Sequence, residues 1–186
     1  MLLVDRHDVG VGALARMRRD GVLTELTDDA GLATDALPLH IARAIALRPW
    51  VPRRAAATGL AALWIYGVTG DALLPTHVAV VVPRGAHPDR PTGVPRSRWT
   101  FTTHQAAYAR ARVVAGVRVV APADAAASAL RTADLGAAMA AAFRVAVSGI
   151  ATRAELCEAV SQHNSARQCT RGLSAWRAVQ DALEGR

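Results

Sequence analysis

Gly12-Ala13-Leu14-Ala15-Arg16-Met17-Arg18-Arg19-Asp20 is followed by Gly21 and then by Val22-Leu23-Thr24-Glu25-Leu26. Leu14 and Met17 stand three residues apart, on one face of a helix, and Arg16, Arg18 and Arg19 surround the other face. Gly21 closes the helix. Val22 to Leu26 alternates as a strand does, Thr27-Asp28-Asp29-Ala30-Gly31 has turn chemistry, and Leu32-Ala33-Thr34 returns as a second strand. A basic helix that runs into a β-hairpin is the second half of a winged helix-turn-helix.

Beyond this stretch, Pro38 opens a helix, with Asp35 upstream, that runs to Leu47. Arg48-Pro49-Trp50-Val51-Pro52 then breaks it, and the proline-bounded segment reads as a domain boundary. A helix is expected over residues 54–66, with Leu60, Leu63 and Trp64 on one stripe and Gly67 at its end. His77 to Val82 is a β-branched buried strand, Arg98 to Thr102 a second, and Val117 to Val120 a third. Residues 83–95 form a loop rich in Pro, Gly and Arg. From Pro122 onward the pattern is helical over 122–131, 133–147, 152–162 and 170–183, with Thr152-Arg153-Ala154-Glu155 as a capping box. The expected fold class is α+β. A partial winged helix fills residues 1–37, and a mixed α/β domain with a small sheet and four to five helices fills residues 38–186. The expected core comprises Trp50, Leu60, Leu63, Trp64, Val80, Val82, Leu130, Phe143, Leu156 and Trp176.

Charge is distributed unevenly. All 22 basic residues are Arg, and the net charge is +7. Residues 1–37 hold four Arg against seven Asp and Glu, a net of −3, and residues 38–186 hold 18 Arg against eight acids, a net of +10. Any attraction to a polyanion therefore resides mainly in the larger part. Hydrophobic residues make up 52% of the chain but aromatics only 4%, so the core is expected to be close-packed and alanine-rich. Cys157 and Cys169 make no disulfide framework. Met1-Leu2-Leu3-Val4 breaks into charge at Asp5, and no apolar run is long enough to span a membrane. These features point to a soluble protein in a reducing cytoplasm, with no membrane partner.

Several segments in order resemble one family. Val51-Pro52-Arg53-Arg54-Ala55 precedes Ala62-Leu63-Trp64-Ile65-Tyr66-Gly67, which is similar to the Ala-Leu-Trp-x-x-Gly helix of AbiEi-type antitoxins. Pro75 to Gly85 resembles that family's strand ending in Val-Pro, here Val82-Pro83. Gly116-Val117-Arg118-Val119-Val120-Ala121-Pro122 resembles its Gly-Val-Arg-Val-Thr-x-Pro segment, although Ala123 and Asp124 stand where an Arg-Thr pair is common. The resemblance implies a winged helix that binds double-stranded operator DNA, ahead of an α/β antitoxin domain. It further implies repression of the protein's own operon and antagonism of a nucleotidyltransferase toxin of a type IV toxin–antitoxin system, without need of a stable complex. The chain begins close to the expected recognition helix, so the first two helices of a full module are expected to be missing. A nuclease-like C-terminal domain, which some relatives in that family carry, is likewise expected to be missing.

Arg16, Arg18 and Arg19 are the candidate contacts on the basic helix. They serve either as donors to DNA phosphates and base edges or as a solvated face beside an acidic segment. A second candidate is the stretch with Arg84, Arg90, Arg96, Arg98, Arg110, Arg112 and Arg118 against one acid, Asp89, interleaved with Trp99, Phe101 and Tyr108. Arg84, Arg96, Arg98 and Arg112 are its DNA-binding candidates. Basic residues among aromatics bind phosphate and stack on bases, but strand alternation equally turns aromatics inward and Arg outward. Cys157, His163 and Cys169 lack the paired spacing of a zinc site. No Gly-x-Ser-x-Gly or Gly-x-Gly-x-x-Gly occurs, and without Lys there is no P-loop; Gly67 to Asp71 reads as a turn. No catalytic residue, metal or cofactor is expected, and the protein is read as a regulator rather than an enzyme. The alternative is a protein-interaction module that has lost DNA binding and acts on a toxin or a full-length relative.

Overall fold

The computed structural model describes residues 3–27, 29–33, 38–69, 75–92, 94–162 and 166–185. Thr34, Asp35, Asp28, Gly70, Asp71 and His163, all used in the sequence reading, lie outside them.

The chain opens with strand β1 (Leu3–Asp5), a single helical turn α1 (Arg6–Val9) and helix α2 (Val11–Arg19). Strands β2 (Leu23–Thr27) and β3 (Ala30–Ala33) complete an antiparallel sheet in the order β1-β3-β2. Helix and hairpin thus lie close to where the sequence places them, except that the return strand begins at Ala30, inside the expected turn. Ahead of α2 the structure adds a short strand and a capped turn that the sequence did not reveal. Asp5 caps that turn, accepting from the backbone of His7 and Asp8 at 2.7 and 3.0 Å. Alternation could not reveal so short a strand. Val4, Leu14 and Leu23 form a small core of their own, with Met17 and Ala33 packed against it.

Helix α3 (Leu39–Leu47) leads through a 3-10 turn at Arg48–Trp50 to a second, five-stranded sheet. Its strands are β4 (Ala56–Thr58), β5 (Val78–Val82), β6 (Trp99–Thr103), β7 (Arg112–Val114) and β8 (Val117–Val119), in the order β6-β5-β4-β8-β7. β4 runs antiparallel to β5 and parallel to β8, whereas β5 and β6 are parallel, so the sheet is mixed. Helix α4 (Gly59–Ile65) follows β4, and α5 (Gln105–Ala109) follows β6. Helices α6 (Pro122–Thr132), α7 (Leu135–Val147), α8 (Arg153–Ser161) and α9 (Ala166–Glu184) form the helical layer, with α6 against α4, α7, α8 and α9. α5 was not anticipated, and the described residues of this part hold seven α-helices, α3 to α9, where four to five were expected.

Residues 54–66 are not one helix, contrary to expectation. Ala56-Ala57-Thr58 is the central strand, with Ala57 opposite Val80 on one side and Val119 on the other. Alanine's helix propensity is a weak local preference, and pairing on both edges overrides it. Small side chains suit a strand that is buried throughout. Gly59 makes the sharp turn into α4 with φ +58°, a conformation that L side chains resist. Gly67, at φ +78°, ends α4 as expected.

The main core holds Leu63, Trp64, Val80, Val82, Leu130 and Trp176, with Leu156 also fully buried. Trp50, Leu60 and Phe143, expected there, are half-buried against it. Buried Arg43 donates to the Trp64 carbonyl at 2.7 Å and lies 5.1 Å over the Trp64 ring, placing a cation at the C-terminal end of α4. Among the described residues no helix is long and apolar enough to cross a membrane.

Candidate nucleic-acid interface

Helix α2 is fixed to its hairpin by one of its own arginines. The Arg18 guanidinium lies 2.9 Å from Glu25 on β2 and donates to the Ala30 carbonyl on β3 at 3.4 Å. Leu14 is buried beneath the same helix. Arg18 is therefore turned toward the sheet, while Arg16 and Arg19 are exposed. Arg19 approaches Asp20 at 3.6 Å, both side chains more than half in water, so the pair holds it only weakly. The three candidates of the helix thus divide into one anchor and two exposed donors.

The second stretch of arginines is contiguous in sequence but not in space. β6 and β7 occupy opposite edges of the five-stranded sheet, four strand spacings or about 19 Å apart. Arg84, Arg96 and Arg98 belong to the β6 side and Arg112 to the β7 edge, so the single patch expected from the sequence is corrected to two. A linear reading has no access to strand order. Arg98 donates to the Thr76 carbonyl at 2.8 Å and lies 5.2 Å over the Trp50 ring, which fixes its orientation. Arg84 is exposed, and its backbone N–H donates to Gln105 Oε1 at 3.1 Å. Arg110 is tied to Asp124 through two nitrogens. Arg112 is exposed; burial pushes the Tyr66 hydroxyl above its ordinary pKa, and the Arg112 charge offsets part of that rise. That hydroxyl donates to the Val120 carbonyl at 2.9 Å.

The β6 edge supplies a feature that strand alternation alone did not decide. Trp99 is buried, and its indole N–H donates to the Trp50 carbonyl at 3.0 Å. Phe101, two residues on, remains 38% exposed. His87 meets it edge-on, with ring centroids 5.7 Å apart and planes at 82°. An open cavity of about 540 Å³ lies against Trp99 and Phe101 and is lined by Arg90 and Arg96. An exposed ring flanked by guanidinium groups can stack a base and hold its phosphate. Arg90 and Phe101 were part of the sequence pattern, but only the fold distinguishes the exposed ring from the buried one.

Other candidates resolve into structural roles. Cys157 Sγ accepts from the Trp176 indole N–H at 3.0 Å, and both cysteines are free thiols. Among the described residues no cluster of His, Cys, Asp and Glu could hold a metal ion. Buried Arg131, on α6, donates to the carbonyls of Val160 at 2.9 Å and of Ala159, which ties α6 to the end of α8. Burial lowers its pKa from the usual guanidinium value. No family model and no curated protein matches the chain.

Proposed function

We propose that this protein is a cytoplasmic DNA-binding regulator of the antitoxin type, with residues 1–37 as its DNA-reading unit and residues 38–186 as its effector domain. One observation carries the reading: α2 presents Arg16 and Arg19 outward while Arg18 clamps it to a three-stranded antiparallel sheet. A rigid helix with exposed forked donors suits the major groove, and the β2–β3 hairpin beside it suits the wing of a winged helix. The separate small core under α2 supports treating this part as a unit. The basic surface of the larger domain adds attraction that is independent of sequence. The AbiEi resemblance supplies the biological frame: repression of its own operon and antagonism of a nucleotidyltransferase toxin.

The test is a mobility-shift titration of operator-length duplex over a range of salt. Arg16→Ala with Arg19→Ala should weaken binding and flatten the salt dependence by about 1.8 logarithmic units per unit, the loss of roughly two phosphate contacts. Absence of any shift at low salt refutes DNA binding.

The acidic balance of residues 1–37 favours a second reading, that of an interaction module without DNA binding. An apolar hollow of about 620 Å³ beside Phe143, with Val147 and Ile150 exposed at its edge, gives that reading a surface. Growth rescue on co-expression with a neighbouring nucleotidyltransferase, retained when Arg16 and Arg19 are removed, separates it from the first.

A further inference from the structure

We propose that Arg48, Arg53 and Arg118 form a pocket for a phosphate-bearing ligand, distinct from both the α2 face and the β6 edge. The pocket lies where the 3-10 turn after α3, the Val51–Ala55 segment and the β7–β8 hairpin meet, and its volume is about 290 Å³. Three arginines line it together with Pro52, Gly116 and Val117, and among the described residues no carboxylate does. Among the described residues none of the three forms an ion pair, whereas Arg6, Arg18, Arg19 and Arg110 do.

Two physical arguments favour an anion there. Like charges gathered in one cleft repel, and a bound anion reverses the sign of that interaction. Arg118 is also held in place: its guanidinium lies 5.1 Å over the Tyr108 ring, so less side-chain entropy is lost when it binds. Forked guanidinium donors match the oxygens of phosphate in geometry as well as charge. The volume accommodates a phosphate with a sugar-sized substituent, which limits the ligand to a mononucleotide-like phosphate or one phosphate of a strand. An extended acidic peptide would need a groove rather than this enclosed hollow. The three arginines are 48, 53 and 118 in sequence, so only the packing of the hairpin against the α3–β4 connection unites them.

Calorimetric titration of the full chain at constant ionic strength tests the assignment, with inorganic phosphate, adenosine 5′-monophosphate and a short single strand lacking terminal phosphates as probes. Saturable binding of inorganic phosphate is expected, with a loss of about tenfold or more in affinity for Arg53→Ala and for Arg118→Ala. Arg118→Lys, which retains charge without the fork, should bind more weakly than the parent. Tighter binding of the mononucleotide than of the strand identifies a free nucleotide as the source, and the reverse order identifies nucleic-acid backbone; both support the pocket. Arg16→Ala with Arg19→Ala should leave phosphate binding unchanged, so failure of this proposal and failure of DNA recognition by α2 are separable. Non-saturable heats, or equal affinity in the parent and in folded Arg53→Ala and Arg118→Ala variants, overturn it. So does an acidic peptide that binds the site while phosphate does not compete.

Discussion

Arg110 holds the carboxylate of buried Asp124 with two nitrogens, Nε to Oδ2 at 3.2 Å and a terminal nitrogen to Oδ1 at 2.7 Å. The partners are unequal: the Asp124 side chain is 6% exposed and that of Arg110 46%. Removing the arginine strands a charge in the interior, whereas removing the carboxylate leaves a guanidinium that can turn to water. Arg110→Ala is therefore expected to cost about 2 kcal/mol, less than for a fully buried pair because water reaches one side. Asp124→Asn should cost about 1 kcal/mol. Urea unfolding of both variants checks the order, and equal losses contradict the argument.

Gly172 shows a second close fit. A Cβ there would lie 3.1 Å from Arg131 Cγ. Arg131 cannot yield easily, because its head group is bound to the carbonyls at the end of α8. Gly172→Ala gains about 1 kcal/mol of helix propensity but should lose more to crowding, for a net loss of about 1 kcal/mol. In an Arg131→Ala background the same change should become stabilising. An identical effect in both backgrounds would show that Arg131 is not the obstacle.

Glu155 closes the capping box at the start of α8. It accepts from the Thr152 backbone N–H at 2.7 Å and from the Thr152 hydroxyl at 2.9 Å, and these bonds, the backbone one first, hold its pKa below the ordinary 4.5. A carboxylate depressed in the folded state contributes stability that is fully present above its unfolded pKa. That contribution disappears as pH falls through the folded value. Glu155→Gln, which keeps an acceptor but does not titrate, should therefore be less stable than the parent at neutral pH and approach it in acid. Thermal melts across this range test the sign: a gap that widens on acidification would be contrary to it.

How much was legible in the sequence follows from where local signals were strong. The helices after Pro122 were readable because their ends are chemically marked, by Pro122 and by the Thr152–Glu155 box. β5 was readable from Val78 to Val82, buried at every position. β4 was not, since Ala56-Ala57-Thr58 has no alternation and is a strand only because Val80 and Val119 pair with it. The basic helix was placed correctly, but the role of Arg18 depends on Glu25, which only the closure of the hairpin brings near. The arginines of residues 84–118 look like one patch in a line, and strand order divides them. Arg48 and Arg53, read in the sequence only as parts of a helix break and a family-like segment, gave no sign of a ligand site until the β7–β8 hairpin set Arg118 beside them.

That hairpin contains a visible strain. Ala115 has φ +48° and Gly116 φ +82°, in the two-residue turn between paired Val114 and Val117. Both central positions of such a turn are left-handed, which glycine accepts freely and asparagine accepts better than other L residues. Alanine there costs about 1 kcal/mol or more. Ala115→Asn creates the Asn-Gly pair that this turn favours and should raise stability by about 0.5–1 kcal/mol. Ala115→Gly relieves the same strain, but it also frees the unfolded chain, so its gain should be smaller. Ala115→Val should lose more than 1 kcal/mol, as a β-branched residue is poorly tolerated in this conformation. The rank Asn, Gly, Ala, Val in denaturant midpoints is the test, and a parent more stable than Ala115→Asn would show that side-chain packing, not backbone strain, governs the turn.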